Sequence, residues 1–166
     1  GRALEFDGVS DYINAGSSSA LDDIWINGGT VALWFYWKGD NGQTQSLAHK
    51  GAGTTPTTGW EFQQNNNGEL KFTLDSDGGT NGDFITNALS QKNTWYRAVV
   101  TYNLGTSTSS MSGNSASIYV NGVKMDLATD TALTTAYNSD ASRDLVLGSG
   151  DKTASFKGVD TPEELK

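Results

Sequence analysis

Nineteen carboxylates, one histidine and no cysteine bound the chemistry open to these 166 residues. Hydrolysis of a glycosidic bond needs two carboxyls about 5–5.5 Å apart for retention, or about 6.5–9.5 Å apart for inversion. The glutamates are Glu5, Glu61, Glu69, Glu163 and Glu164. Glu69 and Asp75 share a strand face, but at about 3.3 Å per residue they stand roughly 20 Å apart, too far for either mechanism. A cross-strand carboxylate for Glu61 is the one route left to such a pair. His49 lacks a Ser or Cys context for nucleophilic catalysis and is expected as a strand-end surface histidine. Catalysis is therefore not expected.

Metal binding is the second chemistry the acids could serve. Calcium takes six to eight oxygens, and turns can supply them as carboxylates and backbone carbonyls. Three groups qualify by composition: Asp7 with Asp11; Asp75, Asp77 and Asp83; and Asp140, Asp144 and Asp151. None has the twelve-residue spacing of an EF-hand loop. For most of these residues the simpler reading holds, because Asp and Asn populate turns by bonding their local backbone. The absence of cysteine removes disulfides and thiolate metal sites.

Sugar recognition is the third. It uses aromatic faces stacked on pyranose C–H groups, with Asn, Gln, Asp and Arg bonding the hydroxyls. Trp34, Tyr36, Trp60, Tyr96, Tyr102 and Tyr119 supply the rings, and Glu61, Gln63, Lys71 and Arg97 are strand residues that could line the same face. Against this stands the tendency of tryptophan to fill a core. Trp34, Tyr36, Trp60 and Arg97 are the expected ligand-binding residues.

Strands must position these groups. Apolar residues recur with period two almost throughout, giving about a dozen short strands separated by Gly, Asn, Asp and Ser clusters. The expected strands include Ala3–Phe6, Asp11–Ala15, Thr30–Lys38, Gln45–His49, Trp60–Gln64, Glu69–Asp75, Asp83–Leu89, Trp95–Asn103, Ala116–Val120, Val123–Ala128, Asp144–Leu147 and Ala154–Lys157. "TVALWFYWK" is apolar on both faces, and the phase of "WYRAVVTYN" stays open because both of its faces carry apolar residues. Asn121-Gly122 in "SIYVNGVKM" calls for a two-residue type I′ hairpin, and "QQNNNGELKF" reads as a second hairpin turning at Asn66–Gly68. Helix is expected only in "SALDDIWI" (Ser19–Ile26) and in the tail "TPEELK", where Thr161 and Pro162 make a helix start. Residues 106–115 form a polar low-complexity loop. Many short antiparallel strands without crossover helices mean an all-β, two-sheet antiparallel sandwich or jelly roll.

A net charge of −8, with no Lys/Arg cluster, argues against nucleic acid and against an anionic membrane surface. No apolar run is long enough to insert in a bilayer as a helix.

Taken in order, "LEFDGVSDYINAG", "TVALWFYWKG", "SLAHKG", "GWEFQQNNNGELKF", "NTWYRAVVTYN", "ASIYVNGVKMD", "LVLGSGD" and "FKGVD" resemble laminin G-like domains of the concanavalin A-like lectin/glucanase type. The resemblance covers roughly residues 3 to 160 and implies a jelly-roll domain over 1–160, with 161–166 as a short tail. It implies a β-sandwich with one concave sheet face, a role in binding glycans or proteins, and mostly structural tryptophans at Trp34 and Trp95. The glucanases of this fold carry a Glu-x-Asp-x-x-Glu string, and none occurs here. The resemblance also implies a structural calcium where first and last strands meet, with Asp7 and Asp160 at the matching positions. It departs at the end: "FKGVD" runs straight to "TPEELK" where the family continues into a further strand. An unfilled slot would expose a strand edge.

The expectation is a non-catalytic recognition domain for extracellular or cell-surface carbohydrate, located outside the cell, at its surface or on a virion. The alternative is a structural, decoration or adhesion domain of a larger assembly, completed by other protein chains. A glycan-cleaving enzyme ranks last.

Overall fold

The computed structural model describes residues 3–6, 11–38, 44–52, 56–104, 115–150 and 154–155. In chain order the strands are β1 (Ile13–Asn14), β2 (Gly29–Trp37), β3 (Gln45–Ala52), β4 (Thr58–Gln64), β5 (Leu70–Leu74), β6 (Gly82–Thr86), β7 (Thr94–Tyr102), β8 (Ser117–Val120), β9 (Val123–Lys124), β10 (Leu127–Thr131), β11 (Leu145–Leu147), β12 (Ser149–Gly150) and β13 (Ala154–Ser155). They form an antiparallel seven-stranded sheet, β1-β11-β3-β4-β5-β6-β10, and a four-stranded sheet, β2-β7-β8-β9, with β12-β13 as a separate ribbon. Among the described residues there is no helix.

The two sheets bury one face each against the other. From the large sheet come Trp60, Phe62, Leu70, Phe72, Leu74 and Phe84; from the small sheet, Phe35, Trp37, Tyr96, Ala98, Val100 and Tyr102. Tyr102 bridges the layers, its ring centroid 6.2 Å from that of Phe72 and 5.4 Å from that of Phe84. This settles the phase of β7: Tyr96, Ala98, Val100 and Tyr102 point inward, so Trp95, Arg97, Val99 and Thr101 point outward.

Both hairpins form. Asn121 and Gly122 turn between β8 and β9 with φ of 51° and 86°, the two positive values a type I′ turn requires. Gly68 (φ 90°) closes the β4–β5 turn, where a Cβ would stand 2.8 Å from the Trp37 ring. The segment expected as strand Val123–Ala128 divides instead. Its first part pairs with β8 in the small sheet, and the second, from Leu127, pairs with β6 in the large one. Ala3–Phe6 takes no strand pairing among the described residues.

The expected Ser19–Ile26 helix is a run of turns, with i→i+3 bonds from Leu21 N–H to Ser18 C=O and from Ile26 N–H to Asp23 C=O. Asp23, at φ 51°, breaks any helix there. A tertiary contact holds it in place. Asp23 Oδ1 accepts from the Asp140 N–H (3.0 Å), and Asp140 Oδ1 accepts from the Asp23 N–H (2.8 Å). That clasp seats Trp25 in the core, edge-on to Trp60 at 5.3 Å. The tail and the 106–114 part of the polar loop lie outside the described residues.

Candidate functional site

Alternation along β2 and β7 builds the site. The two strands pair over nine residues, which sets Trp34 opposite Arg97, Tyr36 opposite Trp95 and Ala32 opposite Val99 on the outer face of the small sheet. Trp34 is 64% exposed and Trp95 44%. The Tyr36 and Trp95 rings meet edge to face at 5.5 Å, which fixes both orientations. Arg97 is held by its backbone: its N–H donates to Asn121 Oδ1 (2.9 Å), and its C=O accepts from the Asn121 N–H (2.9 Å). Its exposed guanidinium has no partner among the described residues. Tyr119 and Lys124, paired across β8 and β9, extend the face. No carboxylate from these four strands points outward, in a chain with eight more acidic than basic residues (19 against 11). A cavity of about 390 Å³ borders the patch, and Trp34, Tyr36 and Trp95 contribute to its lining.

The outer face of the large sheet is different. His49, Glu61, Thr73 and Asp83 line up across β3 to β6, with Gln63 and Lys71 beside them. His49 is 1% and Glu61 3% exposed. Burial pushes the Glu61 carboxyl up to about 7, against the pull of the Ser46 hydroxyl and the Lys71 ammonium. Lys71 pairs with Asp83 at 2.9 Å, and Asp83 also accepts from the Thr73 hydroxyl (2.8 Å).

Of the four expected ligand residues, Trp34, Tyr36 and Arg97 come together on one outward face. Trp60 is a correction. It is 1% exposed and packed against Trp25 and Phe72, leaving no face for a sugar. His49 is a second correction, since it sits within β3 and is buried. Glu61, Gln63 and Lys71 do share a face, but on the opposite sheet from Arg97.

Asp7 and Asp160 lie outside the described residues. Among those described, no three acidic or histidine side chains group as a metal site. Two of the acids expected as alternatives are engaged otherwise: Asp75 accepts from Asn138 (2.9 Å), and Asp140 pairs with buried Lys50 at 3.1 Å. The Tyr137 hydroxyl donates to Asp140 (2.7 Å), and burial together with that carboxylate drives its ionisation upward.

The Laminin_G_3 family model matches residues 7–159. The chain belongs to the concanavalin A-like lectin/glucanases superfamily. Among solved structures, the carbohydrate-binding module CBM40 of the Ruminococcus gnavus IT-sialidase bound to α2,3-sialyllactose is similar at 15% identity and TM-score 0.53, over 92% of this chain and 84% of that one. The same module bound to α2,6-sialyllactose is similar at 14% identity and TM-score 0.50, over 92% and 85%. At such identities the likeness is one of fold. No curated protein matches in sequence.

Within this laminin G-like domain, sequence reasoning missed Trp95, read as structural. The signal was the fixed phase of β7: once Tyr96 and Tyr102 are placed inward, Trp95 must share a face with Arg97. It also missed Trp25 as a core residue, because its place depends on the Asp23–Asp140 clasp, 117 residues apart in sequence.

Proposed function

We propose that this domain is a non-catalytic carbohydrate-recognition module whose ligand lies on the outer face of the small sheet. The observation that carries the reading is the pair of exposed tryptophans, Trp34 and Trp95, flanking an arginine whose guanidinium has no partner among the described residues. An exposed indole is an apolar surface left in water, and stacking a pyranose C–H face on it removes that surface. Trp34 is the platform, Tyr36 and Trp95 form its lateral wall, and Arg97 donates a forked pair of hydrogen bonds to a hydroxyl or carboxylate on the ring. The similar CBM40 structures hold sialyllactose, an acidic sugar, which supports a carboxylated glycan as the first ligand to try. The setting that fits is a cell or virion surface, where such glycans are displayed. No step in this reading requires a metal or a catalytic pair.

Titration calorimetry with sialyllactose and with lactose tests it. Saturable binding is expected, lost by about thirtyfold in Trp34→Ala, because truncating a central aromatic anchor costs about 2 kcal/mol or more. Binding that Trp34→Ala and Arg97→Ala both leave unchanged would place the ligand elsewhere. No binding across a broad glycan panel would end the carbohydrate reading.

A further inference from the structure

The Lys50 side chain, in β3, is only 1% exposed. Its register neighbours are Trp60 in β4 and Leu145 in β11. Its Nζ donates to Asp22 Oδ1 (2.7 Å) and to the Asp140 C=O (2.8 Å), and stands 3.1 Å from Asp140 Oδ1. The Asp140 side chain is 0% exposed and pinned at both oxygens. Its Oδ1 accepts from the Asp23 N–H (2.8 Å) and its Oδ2 from the Tyr137 hydroxyl (2.7 Å). Gly59 makes room for it, since a Cβ there would stand 2.9 Å from Asp140 Cβ. A buried ion pair is poor evidence of stability, because desolvating both charges offsets their attraction. The same enclosure favours another outcome. It holds an amine against a carboxyl at contact distance, aims two hydrogen-bond donors at the carboxyl oxygens, and excludes the water that would reverse a condensation.

We propose that Lys50 and Asp140 join through an isopeptide bond, formed by the folded chain itself with Asp22 as the general base. Asp22 takes a proton from the Lys50 ammonium across the 2.7 Å hydrogen bond, which frees the Nζ lone pair. Nζ attacks Asp140 Cγ. Negative charge collects on Oδ2, facing the Tyr137 hydroxyl, which burial and the adjacent carboxylate hold in its protonated form. The Nζ–Cγ bond forms and the Cγ–Oδ1 bond breaks. Oδ1 departs as water with two of the three ammonium protons, delivered by way of Asp22. Nothing is oxidised or reduced, and no co-reactant is needed. The roles follow exposure. Asp140, sealed from solvent, is the carboxyl that becomes an amide, whereas the partly exposed Asp22 returns to its starting state and opens a way out for the water. The product ties β3 to the loop before β11, across 90 residues of sequence, at the clasp that seats Trp25. This inference stands apart from the glycan reading and does not depend on it.

Mass spectrometry of the intact chain tests it, the protein being folded first and denatured only for the measurement. Loss of one water makes the expected mass about 18 Da lower than that of the sequence. Trypsin should then fail to cut after Lys50 and should release residues 39–71 joined to residues 125–143. Lys50→Met and Asp140→Ala should both keep the full mass of their sequences. Asp22→Asn leaves an acceptor beside Nζ without a base, and on refolding should link at least tenfold more slowly. A parent chain of full mass, folded by circular dichroism and incubated near neutral pH, with Lys50 cleaved normally, would overturn the proposal: the contact would be an ion pair and nothing more. So would a water loss that persists in Lys50→Met or maps to an Asp-Gly step, the signature of a cyclic imide. Linkage at the parental rate in Asp22→Asn would remove the base and with it the mechanism. Should Lys50→Met not fold, the peptide map of the parent decides alone, because the joined pair of peptides has no other source.

Discussion

The two outer faces of this sandwich are built by the same alternation and end in opposite conditions. On the small sheet, large apolar rings stand in water beside a cation without a partner among the described residues. On the large sheet, ionisable groups are withdrawn from water, with Glu61 and His49 nearly inaccessible. Each arrangement has an energetic cost. Exposed indoles forgo burial, and a buried carboxyl loses hydration. The difference teaches where to look for function. The exposed face offers apolar rings and a cation to a partner, whereas on the large sheet Lys71 and Asp83 pair with each other beside the buried Glu61, with Thr73 donating to Asp83.

The largest expected effect contrasts two tryptophans that sequence alone ranks together. Trp60→Ala empties a fully enclosed site and should cost about 3–5 kcal/mol in urea-induced unfolding. Trp34→Ala should stay within about 0.5 kcal/mol, as substitutions on an exposed surface do. On the proposed function the order should reverse, with glycan affinity falling in the second variant. Similar destabilisation by both would show that Trp34 is covered in solution and would collapse the contrast between the faces.

A second expectation sharpens the buried face. The Glu61 carboxyl ionises at about 7 in the folded chain against 4.5 in its ordinary state. Between these values the unfolded chain has released its proton while the folded chain retains it. Stability from this group is therefore full below about pH 4.5, declines as pH rises towards 7, and by pH 8 is lower by about 3 kcal/mol. Glu61→Gln should flatten that slope: thermal unfolding should match the parent near pH 4 and exceed it at pH 8. A parent whose stability rises between pH 5 and 7, with the variant following the same curve, would mean that the carboxyl is hydrated and the row is open to solvent.

How much of this was legible follows the range of the interactions. The two hairpins and most strands could be read locally, because Asn121-Gly122 and the period-two runs specify themselves. The face of β7 could not, since "WYRAVVTYN" is apolar on both sides and only pairing across to β2 fixes its phase. The crossing from β9 to β10 was hidden for the same reason: consecutive residues join different sheets, and no local pattern marks the change. The turns at 19–27 were missed because an aspartate taken as part of a helix bonds a backbone N–H far along the chain. Of the site, the residue types were visible and their company was not. Trp34, Tyr36 and Arg97 could be named, but Trp60 could not be separated from them without burial.

The smallest effect probes how the exposed face is held. Asn121 serves twice: its positive φ makes the hairpin, and its side-chain oxygen accepts from the Arg97 N–H. Asn121→Gly keeps the backbone conformation and removes only the side-chain bond, which should cost about 1 kcal/mol. Asn121→Ala removes the bond and also strains the left-handed backbone by a further ~1 kcal/mol. Denaturant midpoints should therefore fall in the order parent, Gly, Ala. If Arg97 is positioned by this anchor, glycan affinity should drop in both variants by a similar, modest factor, although neither change touches the sugar. Equal stability of the Gly and parent proteins, with affinity unchanged, would mean that β7 holds the guanidinium without the hairpin's help.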